Sequence, residues 1–263
     1  LKKDIGEKEK KAAKEKNGIP DNFIYYPASL WPHKNHIGIL KALAILKKTS
    51  SDIALKKVNR EVKDGAVMIK TKDKKAVLVS LLCETDFVSR NNDFITLLAN
   101  LTDKAISLGI ERMKKEAKDM IDPIIQKTGE NIVLGESYEL SGDVLGSYVH
   151  NNKSGVTVSL ERGSAELAKD IAMHITAMRP EYITDAEINE DARETMREIF
   201  EKEVAQIDKP EEIKKKMLNG KIATYFKEKT LMEQAFIKDG EQTIGQLLGK
   251  AGAKIKEVKR YSI

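Results

Sequence analysis

Two stretches of this sequence each read as a β-hairpin followed by a helix, and this repeated order limits the possible folds more than any other feature. Residues 65–83 contain two β-rich runs separated by a polar turn, and residues 145–160 contain a second such pair. Helical periodicity follows each pair, over residues 93–108 and 165–178. Hairpins followed by helices predict an α+β fold of two related halves and argue against a doubly wound parallel sheet.

The remaining elements after residue 108 are predicted to be largely helical. In chain order they are a charged helix over 111–127, a short strand over 132–134, charged helices over 185–207 and 211–229, a short helix over 243–249 and a closing strand over 254–262. The turn Asp208-Lys209-Pro210 sends the second charged helix back along the first, which predicts an antiparallel helical hairpin over about 185–229.

The positive charge of the chain is concentrated at its N-terminal end. The first 60 residues hold 14 Lys and Arg against 6 Asp and Glu, a net of +8, whereas the whole chain has a net charge of +5. A basic stretch is the usual footprint of phosphate binding. Because no aromatic residues interleave with the lysines of the N-terminal stretch from Lys2 to Lys16, the pattern favours a solvated helix face. A nucleic-acid-binding protein with a basic tail stays open as an alternative.

The cysteine content and the apolar runs indicate where the protein acts. A single cysteine cannot form an internal disulfide, and no charged-then-apolar leader precedes a cleavage site, so we expect a reducing, cytoplasmic compartment. The longest near-apolar run, over residues 37–46, is interrupted by Lys41 and is far too short to span a bilayer. A membrane protein is therefore not expected.

The residue types that carry catalysis or metal binding form no recognisable pattern. The phosphate-binding spacings GxGxxG and GxxxxGK are absent, and His33 and His36 lack the cysteine or carboxylate neighbours of a metal site. Cys83 ends an apolar strand, so we expect a buried, unreactive thiol. The sequence therefore predicts a protein that is not an enzyme and that carries no cofactor or metal.

The segment Thr85-Asp86-Phe87-Val88 forms the corner between a predicted strand and a predicted helix. Its side chains are fixed by the elements on either side, so Phe87 could act as a rigid protruding group. Alternatively, Asp86 or Asn91 caps the helix and Phe87 closes the core. The residues alone favour the second interpretation, since buried aromatic side chains far outnumber exposed functional ones.

Six segments, in the same order as in the family, resemble translation elongation factor Ts, and together they cover about residues 55–263. They are Asn59-Arg60-Glu61-Val62-Lys63-Asp64-Gly65, Cys83-Glu84-Thr85-Asp86-Phe87-Val88, Thr128-Gly129-Glu130-Asn131-Ile132, Gly142-Asp143-Val144-Leu145-Gly146-Ser147-Tyr148-Val149-His150, Ile171-Ala172-Met173-His174 and Thr243-Ile244-Gly245-Gln246-Leu247-Leu248. This resemblance reverses the preference for Phe87, because it implies a functional aromatic group at the corner.

The resemblance implies a guanine-nucleotide exchange factor that promotes GDP release from the GTPase elongation factor Tu. Asp86 and Phe87 would be presented near the magnesium and nucleotide site of the GDP-bound partner, and Thr85 and Val88 would shape the corner. No covalent step is implied, and GDP or GTP would be bound only by the partner. No membrane contact and no direct contact with nucleic acid is implied.

Two histidines also match positions of the family in the second half of the chain. His150 and His174 are implied to contact the partner or to support that contact, although a lone histidine on a strand or helix is usually a satisfied structural residue. The helical hairpin resembles an inserted antiparallel coiled coil that offers a further surface to the partner, but its charged faces could equally be only solvated.

The resemblance divides the chain into an atypical N-terminal segment over 1–54, a core N-subdomain over 55–139 and a core C-subdomain over 140–263 that contains the helical hairpin. Residues 1–54 lack the Thr-Gly-Ala-Gly turn of the small helical domain that usually begins the family. Instead, residues 20–48, which include a predicted helix from His36 to Lys48, resemble the start of a family 4-like glycosyltransferase. A glycosyltransferase fragment fused to a non-functional core is therefore the second alternative.

Overall fold

The computed structural model describes residues 38, 40–42, 44–45 and 60–263. The chain divides into two compact units, residues 1–49 and 50–263. The six described residues of the first unit are helical, which agrees with the helix predicted there. The rest of the glycosyltransferase-like stretch lies outside the described residues.

The first sheet of the second unit is antiparallel and carries three helices. Its elements are β1 (Asp64–Lys72), β2 (Lys75–Cys83), α1 (Asp86–Ser89), α2 (Asn92–Leu108), α3 (Ile110–Thr128) and β3 (Ile132–Ser141). The strands lie in the order β1-β2-β3, and Lys72 pairs with Lys75 to close the first hairpin. The hairpin predicted from the two β-rich runs is therefore confirmed.

Both faces of β2 are buried, which explains its nearly continuous apolar sequence. Val77, Val79 and Leu81 pack into one cluster with α2 and α3. Leu78 lies on the opposite face, towards the second sheet, where its Cδ1 atom would be 3.2 Å from a Cβ atom added at Gly155. The first sheet is thus a central layer between its own helices and the second sheet.

The second sheet repeats the arrangement of a hairpin covered by a helix. Its elements are β4 (Val144–His150), β5 (Ser154–Glu161), α4 (Ala165–Met178) and β8 (Lys254–Ser262), with the strands in the antiparallel order β4-β5-β8. Ile171 and Ile175 of α4 are buried against Val156 and Val158 of β5. The second hairpin and the helix after it are also confirmed.

Between α4 and β8 the chain forms a pair of long helices and a small hairpin. The elements are α5 (Glu190–Ala205), α6 (Glu211–Lys229), β6 (Ala235–Phe236), β7 (Asp239–Thr243) and α7 (Ile244–Lys250), with short 3-10 turns at Asp185–Glu187 and Leu231–Glu233. Arg193 lies over the ring of Phe226, whereas Glu203 binds Lys221 at 2.7 Å. These contacts require α5 and α6 to run in opposite directions.

Two local predictions differ from the structure, and one hairpin was missed. The third strand does not end at residue 134 but continues to Ser141. β3 is an edge strand, and its exposed polar residues Glu136, Glu139 and Ser141 break the apolar pattern. The helix predicted from residue 185 begins only at Glu190, since the extended Asn189 caps it by accepting a hydrogen bond from the Ala192 N–H. The β6–β7 hairpin was not predicted.

Among the residues that the structure describes, no helix has the length and apolar character needed to cross a bilayer.

Gly146 lets α4 lie directly on β4. A Cβ atom at this position would come within 2.1 Å of the Ala168 carbonyl carbon and the Lys169 nitrogen, both of them main-chain atoms of α4. A helix backbone cannot move aside as the end of a flexible side chain can. The second half therefore depends on a residue without a side chain at this position.

We predict that Gly146→Ala lowers the free energy of unfolding by about 2 kcal/mol or more, because α4 must separate from β4. The matched control is Gly220→Ala in α6, where an added Cβ meets no atom within 4 Å. Gly220→Ala should be neutral or stabilise by up to about 1 kcal/mol, since alanine is the better helix former. Urea unfolding of both variants checks this, and equal effects would contradict it.

Candidate partner-binding corner

Phe87 is the most exposed large hydrophobic side chain among the described residues, with 84% of its surface open to solvent. The interpretation that Phe87 closes the core is therefore wrong. The other half of that interpretation holds, because the Asn91 side chain accepts a hydrogen bond from the Asp93 N–H and caps α2. A phenylalanine left in water between two well-packed elements needs an explanation beyond folding.

The corner that carries Phe87 is one helical turn, and the two residues that follow Phe87 face inwards. Thr85 is extended, and its carbonyl oxygen accepts a hydrogen bond from the Ser89 N–H to begin α1. Val88 and Ser89 are buried, with 8% and 3% of their surfaces exposed. Since the inward side of α1 is occupied by these two residues, Phe87 is left on the outward side.

Asp86 lies partly exposed at the start of α1. Its carboxylate forms an ion pair with Arg90 at 3.2 Å, one turn further along the chain. Because both side chains are substantially exposed, the pair contributes little to stability. The carboxylate is therefore available to exchange Arg90 for a donor on another molecule.

The first residue of the corner is held by Glu130, in the loop between α3 and β3. The Glu130 carboxylate accepts two hydrogen bonds from Thr85, one from its N–H at 3.0 Å and one from its hydroxyl at 2.6 Å. The neighbouring Glu84 carboxylate accepts a hydrogen bond from the Asn131 N–H at 2.6 Å. Hydrogen bonds to a carboxylate are among the stronger ones, so this loop fixes where the corner begins.

The other end of the corner is held from the second sheet. Lys153, in the turn between β4 and β5, donates hydrogen bonds to Asp64 Oδ1 at 2.5 Å, to the Gly65 carbonyl oxygen at 2.6 Å and to Ser89 Oγ at 3.2 Å. Burial raises the pKa of Asp64, but the hydrogen bond from Lys153 and smaller contributions of the same sign outweigh it and lower that pKa below its ordinary value. Asp64 therefore stays charged and keeps Lys153 in place.

His150 precedes this turn at the end of β4 and is exposed. Its ring stacks on Tyr148 with 6.2 Å between the ring centres, and its Nδ1 atom is 3.2 Å from the Tyr148 hydroxyl. Lys153, three residues further on, contacts Ser89 of α1. The structure thus brings the turn next to His150 and the corner of Phe87 into one region, although they are far apart in sequence.

His174 is placed differently, because it is completely buried in the second half. Its Nδ1 atom accepts a hydrogen bond from the Ile237 N–H at 3.2 Å, so Nε2 carries the proton and donates to Gln234 Oε1 at 3.0 Å. Gln234 in turn donates to the Glu228 carbonyl oxygen in the last turn of α6. A buried ring has no surface to offer to another protein, so this geometry favours support over direct contact.

Sequence reasoning missed Glu130 and Lys153. Glu130 belongs to one of the six segments that carry the family resemblance, but nothing in that segment indicates a bond to Thr85. Lys153 lies in a polar hairpin turn, where a lysine is usually solvated. The Glu130 contact depends on packing within the first half, and the Lys153 contact depends on packing between the two sheets.

The described part of the chain offers little for chemistry. No group of three or more potential metal ligands occurs among the described residues. Burial and, to a lesser extent, the carboxylates of Asp64 and Glu130 raise the pKa of the Cys83 thiol to about 12. Thiolates are the reactive form, so Cys83 is unreactive at neutral pH. What the corner can do is present a rigid aromatic group to another surface.

These features are typical of a protein-binding module, an α+β protein in which a fixed turn holds an exposed aromatic side chain. The family model for Elongation factor TS matches residues 84–263. Elongation factor Ts of Hahella chejuensis is 38% identical over 232 residues, which cover 86% of this chain and 81% of that protein. Elongation factor Ts of Deinococcus deserti is 37% identical over 224 residues, covering 81% and 85% of the two chains. The chain belongs to the elongation factor Ts family.

The stability of the protein should decrease as the pH falls below about 6.5, the ordinary pKa of histidine, because burial lowers the pKa of His174. His174 binds a proton near that pH in the unfolded chain, whereas in the folded chain its ring stays neutral until a lower pH. The free energy of unfolding therefore falls by about 1.4 kcal/mol for each pH unit between the two pKa values.

His174→Gln removes this titration and keeps a side chain that can form hydrogen bonds. Thermal midpoints between pH 7.5 and 5.0 should therefore depend less steeply on pH in the variant than in the wild type. The comparison concerns the slope, so a uniform loss of stability in the variant does not affect it. Equal slopes would show that His174 is not protonated preferentially in the unfolded chain.

Proposed function

We propose that this chain is a guanine-nucleotide exchange factor that acts in the cytoplasm and promotes GDP release from elongation factor Tu. Membership of the elongation factor Ts family supports the choice of elongation factor Tu as the partner. The observation that carries the mechanism is the 84% exposure of Phe87 on a turn that is held at both ends. A side chain of this size is costly to leave in water unless another protein covers it.

The proposed action is mechanical and needs no covalent step, so the protein would not be an enzyme. A GTPase holds its nucleotide through a phosphate-binding loop and a Mg²⁺ ion. Phe87, inserted between side chains near that site in the GDP-bound partner, would displace the groups that orient them. Full burial of a phenylalanine contributes about 2–3 kcal/mol, which is available to offset the displacement. By linkage, GDP and this protein each weaken the other's binding to the GTPase.

The other proposed site residues have separate parts in this action. Asp86 would exchange its ion pair with Arg90 for a donor on the partner. Thr85 and Val88 would hold the corner from its two sides, through Glu130 and the core respectively. Neither residue needs to touch the partner.

The histidines are proposed to act in the second half of the chain. His150, exposed beside the turn that reaches α1, is suited to direct contact with the partner. His174 would act indirectly, because its bonds through Gln234 reach the end of α6 and so fix the base of the helix pair.

We further propose that the two sheets mark the N- and C-subdomains of the core over 55–139 and 140–263. A boundary after residue 139 would cut β3, which continues to Ser141, so we move the proposed junction to Gly142-Asp143. The pair α5 and α6 would be the inserted helical hairpin over about 185–229, offering the partner a second surface. Ile199 and Ile213, each 44% exposed on this pair, support a contact there.

No observation on the described residues favours either alternative function. The stretch that resembles a glycosyltransferase and the basic N-terminal stretch both lie largely outside them. Titration of the full chain with a sugar nucleotide tests the first alternative. Binding to RNA at several salt concentrations tests the second, since phosphate contacts weaken steeply as salt rises.

The exchange proposal predicts that the chain accelerates release of a fluorescent GDP analogue from elongation factor Tu. Phe87→Ala should reduce that acceleration by at least about tenfold, as expected for a central aromatic anchor. Because most of the Phe87 side chain is exposed in the free protein, the thermal midpoint of the Phe87→Ala variant should equal that of the wild type. A wild-type chain without any effect on the release rate would refute the exchange function.

The control variant is Leu108→Ala. Leu108 is 51% exposed at the far end of α2, so the substitution removes exposed apolar surface from outside the corner. The Leu108→Ala variant should accelerate GDP release from elongation factor Tu as much as the wild type does. If it accelerated release as little as Phe87→Ala, the loss would come from general surface hydrophobicity and not from the corner.

A further inference from the structure

The ammonium group of Lys153 connects three parts of the molecule. Its hydrogen bonds run to a side chain of β1, to a main-chain oxygen of β1 and to a side chain of α1. An ammonium group has three donors, and three acceptors lie within hydrogen-bond distance here. Lys153 itself belongs to the turn of the second sheet, so its position sets the distance between that turn and α1.

The hydrogen bond from Lys153 to α1 is followed by a second one that reaches Asp86, the residue before Phe87. Ser89 Oγ accepts a hydrogen bond from Lys153 and donates one to the Asp86 carbonyl oxygen at 3.1 Å. The chain of bonds therefore spans α1 from its last residue to its first. Phe87 lies between the two residues that this chain connects.

A helix of four residues cannot fix its own orientation. It contains too few internal hydrogen bonds to offset the entropy of ordering its backbone, so external contacts must hold it. Glu130 holds the residue before α1, and Lys153 holds its last residue. A main-chain bond also joins the same turn to β1, from the Val67 N–H to the Asn152 carbonyl oxygen at 2.7 Å.

We propose that Lys153 is a positioning residue for Phe87: from the second sheet, it sets the angle at which α1 presents the aromatic ring. This inference rests on the proposed exchange function. It makes the effectiveness of the corner depend on the packing of the two sheets. Lys153 itself need not touch the partner.

A positioning role and a merely stabilising role give different results in a double-mutant cycle. If Lys153 acts through Phe87, replacing it matters only while Phe87 is present. If it only stabilises the fold, its replacement should have the same effect in a Phe87→Ala chain. The two roles also differ in which kinetic quantity changes, because a misaligned side chain lowers the maximal rate more than the affinity.

The experiment measures GDP release from elongation factor Tu at increasing concentrations of the full chain. Lys153→Met should lower the maximal release rate by about fivefold or more and change the half-saturating concentration by less. In the Phe87→Ala chain the same substitution should cause less than about a twofold further loss. Lys153→Arg should restore most of the rate, since a guanidinium group also donates several hydrogen bonds.

Two further variants keep the result interpretable. Lys74→Met removes an equal charge from an exposed ion pair with Asp143, away from the corner, and should retain the wild-type rate. Ser89→Ala removes both bonds of Ser89 Oγ, the one from Lys153 and the one to the Asp86 carbonyl oxygen. It leaves the bond between Lys153 and Asp64, so it reports on α1 even if Lys153→Met folds poorly. Ser89→Ala should also lower the maximal rate.

The inference is overturned if Lys153→Met and Ser89→Ala both retain the maximal rate within twofold while Phe87→Ala does not. It is also overturned if Lys153→Met causes the same fold loss with and without Phe87. A wild-type chain that fails to accelerate release refutes the exchange function itself, and the positioning role with it. These results are distinct, so failure of the inference is not confused with failure of the function.

Discussion

The candidate site depends on external support for a single helical turn. α1 is only four residues long, yet it keeps a phenylalanine in solvent between a strand and a long helix. Its support comes from Glu130 on one side and from Lys153 on the other, and each of these residues lies in a loop of a different element pair. The rest of the fold can be understood as the framework that brings these two loops to the ends of the turn.

The contact between the two sheets is the larger part of that framework. At Gly155 the absence of a side chain lets β5 approach the first sheet, where a Cβ atom would lie 2.8 Å from Val67 Cγ1. This close approach carries the β4–β5 turn to the beginning of β1. As a result, residues of both halves contribute to one surface, and neither half contains the whole candidate site.

Local sequence signals were enough to predict most of the regular elements. The bounds of α4 and α6 agree with the structure, because Ser164 caps the first and Pro210 precedes the second. The full length of β3 could not be read in the same way, since an edge strand with polar residues lacks an apolar pattern. Short elements such as β6 and β7 carry too few residues for any periodicity to appear.

The candidate site was predictable only in part, and for a different reason. The residues around Phe87 indicate a corner between a strand and a helix. Most aromatic side chains in proteins are buried, and only the family resemblance predicted an exposed ring here. The contacts that hold the corner join residues 45 positions apart for Thr85 and Glu130, and 64 positions apart for Ser89 and Lys153. Such pairings follow from tertiary packing and leave no trace in local composition.

The buried thiol of Cys83 affects how the protein reacts with oxidants and labelling reagents. It is the sole cysteine of the chain, and peroxides and disulfide-forming agents attack cysteines as exposed thiolates. Burial therefore protects Cys83 from these reagents in the folded chain. For the same reason, a cysteine introduced at any exposed position would be the single site for a fluorescent or spin label.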